Sequence, residues 1–593
     1  MNNFSWAWTY VKPDWGKMSV ACLLLLVNSG LFLVNPYLIG LIVDQVIYSN
    51  QGQLLIPIIL TMVGSTLIRT VVRYSYQMMF EQISQNSLYR LRQDLYHKVN
   101  ELDFEYFNHT RVGDIMARMT GDTDAIRHFI GWVSYNIVES LVWFVCAIVA
   151  MGLINVPLTL SLVAVTPLIF IFARRLVKKS SIKFFDIRES FSRLNSMVEE
   201  NIGGNRMVKA FAQEEFEIEK FDKHNDDFKQ KNLASADVTR TYMPWLEGFA
   251  GSLNVITLVL GGYLVIQGSI SMGELVAFNS YLWMLNNPMR MSGWLLNDVQ
   301  RFQAACIKIR DLLTTQSRIP VMNHDKLPPV KGQVEFDGVS FKFADDPNFA
   351  VLNNVSFKAE VGQTVGIIGE TGSGKSTLVN LIGRFYDATE GEVKIDGHNI
   401  KEYPVRFLRN HISMVMQHVF LFSNTISDNI AFGDPYTSAN NVKRMAAVAD
   451  ADAFISRMPD GYSTIVGERG VGLSGGQKQR ISLARALTKV PSILILDDTT
   501  SAVDMETEAK IQQGLNEVTD LTTTFIIAHR ISSVRDADLI LMLDKGSIVE
   551  RGTHSQLIAQ RGRYYRLYQK QLGMEIADDD QEAVSELTET PSL

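Results

Sequence analysis

Gly369-Glu370-Thr371-Gly372-Ser373-Gly374-Lys375-Ser376 stands between the apolar run Thr364–Ile368 and a helical pattern that opens at Thr377. Strand, glycine-rich loop and helix in that order make a phosphate-binding loop. Its glycines let backbone N–H groups approach phosphate oxygens, and the helix N-terminus adds its positive dipole end. Lys375 would reach the β and γ phosphates, and Ser376 can ligate Mg2+. Downstream, the apolar strand pattern Ile493–Leu496 ends in Asp497-Asp498, where an NTPase keeps the carboxylate that holds the Mg2+ shell. Gln417, after the strand-like Ile412–Met416, and His529, ending Thr522–Ala528, place polar groups at two more strand ends. Each alone is weak; their order and spacing give them weight together.

The elements that must position these groups occupy only part of the 593 residues, a length that calls for two or three domains. Uncharged runs (Met18–Val43, Leu54–Ile68, Ser140–Ala173, Gly248–Gly273) are confined to the first half. Runs of this length match the hydrocarbon thickness of a bilayer. Asn155-Val156-Pro157 interrupts the longest as a tight turn, so six spans are expected, at 17–45, 54–85, 129–154, 157–177, 236–267 and 272–305. Connections after spans one, three and five lack Lys and Arg, whereas those after spans two and four are long and basic. The positive-inside bias therefore places both termini and the ATPase half in the cytosol. The division predicted is a transmembrane domain over 1–318, a linker over 319–328, a nucleotide-binding domain over 329–573 and an acidic disordered tail over 574–593. Gly113–Asp124 and Val208–Glu217, midway along the long connections, are expected to be coupling helices docked on the soluble half.

The net charge of −7 gives no support for nucleic-acid binding. Cys22, Cys146 and Cys306 are too scattered for a disulfide framework or a metal site. Trp6, Trp8, Tyr10 and Trp15 read as an interfacial amphipathic segment. Arg69, Glu139, Glu247 and Arg290 are intramembrane charges toward the cytoplasmic leaflet. Glu139 and Glu247 are candidate contacts for cationic amphiphiles; the alternative is snorkelling, or an Arg69–Glu139 ion pair between neighbouring helices.

With these motifs in place, residues 329–573 resemble an ATP-binding cassette, and the chain resembles a half-transporter of the ABC exporter family. The fold implied is an all-α six-helix membrane domain fused to a cytosolic α/β P-loop domain, with ATP and Mg2+ as cofactors. Carried over by motif, Gly369–Ser376 with Thr377 is the Walker A loop, Gln417 the Q-loop, and Leu473-Ser474-Gly475-Gly476-Gln477 the signature. Asp497 is the Walker B aspartate, Ser501–Asp504 the D-loop, and His529 the switch histidine. Thr464–Gly470 resembles the exporter-type loop that meets the coupling helices. Phe343 stands where the family usually stacks a tyrosine under adenine, and keeps the stacking face. Ser376, Gln417 and Asp497 are the implied metal ligands; Asp498, His529 and Gln417 are the implied catalytic set, and Asp504 contributes to the nucleotide site.

The family closes each ATP between one cassette's Walker motifs and another's signature, so a second cassette is required. Efficient members carry glutamate after the Walker B aspartate; here the residue is Asp498. Its carboxylate is set back by about 1.5 Å, and errors of about 1 Å cost on the order of 100-fold in rate. An intact signature beside a short carboxylate resembles the degenerate halves of bacterial heterodimeric multidrug exporters. The expectation is ATP-driven export of hydrophobic or amphiphilic compounds across the cytoplasmic membrane, with a different half-transporter as partner. The other partners expected are membrane lipids and hydrophobic or cationic small molecules. A lipid flippase and an ATP-gated regulatory protein are the alternatives.

Overall fold

The computed structural model describes residues 2–319, 329–498, 505–518 and 521–572. They form two compact units, one of residues up to Leu102 with Thr110–Gln316, the other of Asp103–His109 with Ser317 onward.

In the first unit, long helices α1 (Trp15–Phe32), α2 (Leu55–Glu101), α3 (Ser134–Ile154), α4 (Thr166–Gly203), α5 (Glu214–Ile266) and α6 (Met272–Thr314) dominate. Among the described residues, five continuous helical stretches are long and apolar enough to cross a membrane: Asn3–Tyr48, Gly52–Glu101, Val112–Ile154, Val156–Gly203 and Glu214–Ile266. The 43-residue α6 falls short of that apolarity, since Asn279, Asn286, Asn287 and Pro288 interrupt its hydrophobic run. Asn155 leaves helical geometry after α3, and its side chain caps the next helix by accepting from Leu158 N at 3.0 Å. Ser271 starts α6 with a capping box to Glu274. Asp44 reinforces that start, accepting from Ser271 Oγ at 2.5 Å and from Gly273 N at 2.7 Å. The approach requires glycine: a Cβ on Gly273 would lie 2.1 Å from the Gly40 carbonyl oxygen. Beyond their apolar stretches α4 and α5 run on together, joined by a 2.6 Å bond from Ser190 Oγ to Asp227 and by Phe191 against Phe228.

The first helix break differs in place from the expected one. Gly113–Asp124 is itself helical, and α2 ends earlier, at extended Leu102. Asp103 Oδ1 then accepts from Tyr106 N at 3.2 Å and starts the short helix Phe104–His109. That helix belongs to the second unit. Its Phe104 ring stacks on Phe385 at 4.5 Å and 1°, and Asn108 Nδ2 donates to Tyr386 OH at 2.8 Å. Asp103 Oδ2 also accepts from Ser317 Oγ at 3.0 Å and Arg318 N at 2.5 Å. The second break, between Gly203 and Glu214, overlaps Val208–Glu217 and holds the short helix Asn205–Ala210.

The second unit carries two sheets. Strands β1 (Val334–Phe341), β2 (Leu352–Ala359), β4 (Glu390–Ile395) and β5 (His398–Asn399) form an antiparallel sheet ordered β2-β1-β4-β5. Strands β3 (Thr364–Gly369), β6 (Ile412–Val415), β7 (Ile493–Asp497), β8 (Thr523–Ile527), β9 (Leu539–Asp544) and β10 (Ser547–Gly552) form the other, ordered β10-β9-β3-β8-β7-β6. All its pairs except β10 with β9 are parallel. β7 and β8 are buried at every residue, as a parallel sheet covered on both faces requires. Parallel pairing also brings the carboxyl ends of β3, β6, β7 and β8 to one edge, where open α/β sheets place their ligands.

Among the described residues Arg384 is the largest fully buried side chain, donating to Asp387 Oδ1 at 3.0 Å and to the Tyr403 carbonyl at 2.9 Å. Arg384→Ala strands both acceptors and leaves a void, so a loss of about 3 kcal/mol is expected. Thermal unfolding of the full chain checks this, and an unchanged midpoint would refute it.

Candidate functional site

The phosphate loop joins β3 to α7 (Lys375–Ile382). Gly374 caps α7 at φ +99°, and a Cβ there would lie 2.8 Å from both Leu352 Cδ2 and the Val351 carbonyl oxygen. Only glycine meets both demands. Lys375 folds back along the loop and donates to the carbonyls of Gly369 at 2.8 Å and Glu370 at 2.7 Å. Burial pushes its ammonium below the ordinary lysine range, and Asp497, Asp498 and Glu370 pull it back up. Ser373 is 4% exposed, and its Oγ has no hydrogen-bond partner among the described residues. A buried hydroxyl beside a row of helix-start amides is a polar cradle that suits phosphate oxygens.

Asp497 ends β7 opposite Ile527 of β8. Burial raises its carboxyl above the usual range, and a hydrogen bond from Ser376, Lys375 and His529 oppose that rise. Four of the sequence-derived residues, Lys375, Ser376, Asp498 and His529, thus act on a fifth, Asp497. Ser376 and Asp497, which act on each other, are the pair that would hold Mg2+, which when bound neutralises charge on the transferring phosphoryl group. Asp498 continues the ladder, its N–H donating to the Ile527 carbonyl at 3.0 Å, with φ at +51°. Aspartate tolerates this left-handed backbone better than most residues.

The remaining positions are spread more widely. Gln417 is exposed in the segment after β6. Phe343 is half-buried beyond β1, its ring 4.9 Å from Phe341 and 5.4 Å from Tyr386, both edge-on. Glu370, Thr371 and Gly372 form the exposed crest of the loop, and Thr377 lies in the first turn of α7. Leu473–Gln477 opens a different helix, α8 (Gly475–Leu487), through a capping box: Ser474 N donates to Gln477 Oε1 at 2.9 Å, and Gln477 N to Ser474 Oγ at 3.3 Å. Asp504 lies outside the described residues.

Two residues missed by motif reading support the cluster. Gln479, buried on α8, donates to the Asp498 carbonyl at 3.4 Å. Gln571, in the helix Arg563–Gln571, brackets the histidine loop, donating to the His529 carbonyl at 2.8 Å and accepting from Ile531 N at 2.9 Å. Gln479 is marked in sequence only as a long polar residue on a helix whose other buried positions, Ser482 aside, are apolar. Gln571 had no signal.

In the first unit, Glu139 is 5% exposed and accepts from Tyr76 OH at 3.0 Å. The expected Arg69–Glu139 ion pair is replaced by that bond and by Arg69 stacking on Phe32, 4.7 Å from the ring centre. Glu247 is exposed on α5, and the Arg290 side chain lies outside the described set.

The ABC transporter transmembrane-region profile matches residues 18–289, and the ABC transporter profile matches 352–501. The uncharacterized ABC transporter ATP-binding protein YknU of Bacillus subtilis (strain 168) is 38% identical over 553 residues, 93% of this chain and 94% of that protein. The chain belongs to the ABC transporter family. The transporter is also 33% identical, over 94% of its length and 98% of the relative's, to a Staphylococcus aureus (strain NCTC 8325 / PS 47) protein, SAOUHSC_02003, provisionally named a multidrug export ATP-binding/permease protein. A solved bacterial Atm1-family ABC exporter with ATP bound superposes at a TM-score of 0.82, with 27% identity over 94% of this transporter and 99% of that chain. The transporter is thus a multi-pass membrane protein that fuses its spans to an ATP-binding, ATP-hydrolysing domain.

Proposed function

We propose that this chain is one half of a heterodimeric ABC exporter that moves hydrophobic or amphiphilic compounds out of the cytosol, with a slow ATP site on its own Walker motifs. The observation that carries the reading is Asp498 at the end of β7, among Lys375, Ser376 and Asp497, in a chain whose Leu473–Gln477 is complete. A shortened carboxylate leaves binding groups in place and handicaps only the positioning of water. The complete signature then serves the partner's ATP, and Ser376, Gln417 and Asp497 hold Mg2+ at this chain's own site. Likeness to a protein named for multidrug export, and to a solved exporter, supports the direction and the substrate type.

Co-expression with a half-transporter from the same genome that carries Asp-Glu after its Walker B strand is expected to give a stable complex. Its inside-out vesicles should accumulate lipophilic dyes with ATP. A tagged chain that hydrolyses ATP and transports at full rate alone would overturn the heterodimer. Lipid movement with no dye uptake would favour a flippase.

A further inference from the structure

In the first unit three aromatic rings meet from three helices: Phe32 of α1, Trp143 of α3 and Trp283 of α6. Phe32 stacks on Trp143 at 5.3 Å and on Trp283 at 5.7 Å, and the two indoles lie 5.4 Å apart. Trp283 remains 52% exposed while Trp143 is 8% exposed, so the group has one open and one closed end. At the closed end the Trp143 Nε1–H is buried without an acceptor among the described residues. The Arg69 guanidinium lies 4.7 Å over Phe32, and no acceptor or carboxylate among the described residues takes it. By its place on α2, Arg69 stands about 21 Å along from Leu55, directly after the uncharged run Leu54–Ile68.

The charges here do not cancel. Glu139 is the carboxylate near Arg69, and it is already engaged by Tyr76 and acted on by both Arg69 and Arg73. Two guanidiniums act on one carboxylate among the described side chains, and Arg69 and the Trp143 indole both pack on the Phe32 ring. A buried donor without a partner and an arginine with only a ring beneath it are both incompletely satisfied. Both point to the same missing chemistry, a negatively charged acceptor on an apolar body.

We propose that Phe32, Trp143, Trp283 and Arg69 form a binding site for amphiphilic anions, the anionic group on Arg69 and the Trp143 N–H and the apolar body against the rings. This rests on the export reading and reverses the charge expected from Glu139 alone: cationic amphiphiles are not what this site selects. A sulfonate or carboxylate drug and an anionic lipid headgroup share the required chemistry.

The test uses the purified transporter, with its partner where one co-purifies, in phosphatidylcholine nanodiscs. Saturable binding of 1-anilinonaphthalene-8-sulfonate is read by its emission above empty discs. Arg69→Gln is expected to weaken binding at least tenfold and Arg69→Lys less. Phe32→Leu should also weaken it, and Glu139→Gln should leave it unchanged or tighter. Displacement by the cation tetraphenylphosphonium should be weak in all variants. Equal sulfonate binding by wild type and a folded, ATP-binding Arg69→Gln variant would overturn the proposal. So would strong tetraphenylphosphonium binding that Glu139→Gln abolishes. Adding phosphatidylglycerol assigns the source: weaker sulfonate binding in wild type but not in Arg69→Gln identifies a headgroup at the site, and no change identifies free anions. ATP-driven uptake of the sulfonate is scored separately, so Arg69-dependent binding without uptake would sink the export reading and leave the site standing.

Discussion

Asp498→Glu is expected to raise turnover at the ATP site built on Lys375 by about 10- to 100-fold, the range set by a carboxylate displaced on the order of 1 Å. The surroundings allow this gain. Lys375, Ser376 and Asp497 are already gathered at the edge of the sheet, and the backbone at residue 498 is fixed by its bond to the Ile527 carbonyl. A longer side chain therefore extends from an anchored position. The left-handed backbone at φ +51° suits glutamate less well than aspartate, so a small loss of stability accompanies the faster rate. Single-turnover hydrolysis, with the partner's glutamate replaced by glutamine to silence the other site, isolates the effect. An unchanged rate would show that the residue after Asp497 does not limit this site.

The second large effect concerns the signature. Ser474→Arg should lower steady-state ATPase of the complex by about 100-fold or more, the size of loss seen when an oxyanion-type donor is removed. Asp498→Asn should change it little. The asymmetry is the informative part. Ser474 caps α8 and bonds Gln477, so arginine removes the cap and intrudes where a γ phosphate would be received. If the competent ATP is the partner's, it is the site that suffers. A homodimer would lose activity with both variants, and that result would overturn the division of labour. The capping loss alone costs about 1 kcal/mol, so nucleotide binding and thermal stability should separate misfolding from a catalytic effect.

The P-loop, the Walker B strand and the strand ends at Gln417 and His529 were legible because each is a local pattern. Parallel pairing of β6, β7, β8 and β3 then does the assembling. The long apolar helices were legible for the same reason. Other features depend on residues far apart in sequence. Gln571 braces His529 from 42 positions away, and Asp103 caps one helix while holding Ser317 and Arg318. The turn lies elsewhere than expected for a physical reason: Gly113–Asp124 stands midway along the long connection, yet the helix yields at Leu102, where Asp103 offers a capping carboxylate. Glu139 was singled out because charge is costly in a bilayer, but sequence could not show that Tyr76 already satisfies it or that Arg69 lies over an aromatic ring.

The Asp103–His109 heptad has a practical meaning for dissection of the molecule. A fragment begun at residue 329 looks like a clean C-terminal cut, yet it discards a ring stacked on Phe385, the amide bonded to Tyr386 and the carboxylate that fixes the chain at Ser317. Such a fragment would carry a wetted aromatic face that the intact chain keeps covered, which favours self-association in solution. The covering is discontinuous in the gene and contiguous in space, so an autonomous version of this ATPase calls for a tethered copy of residues 103–109, not merely a shifted start codon.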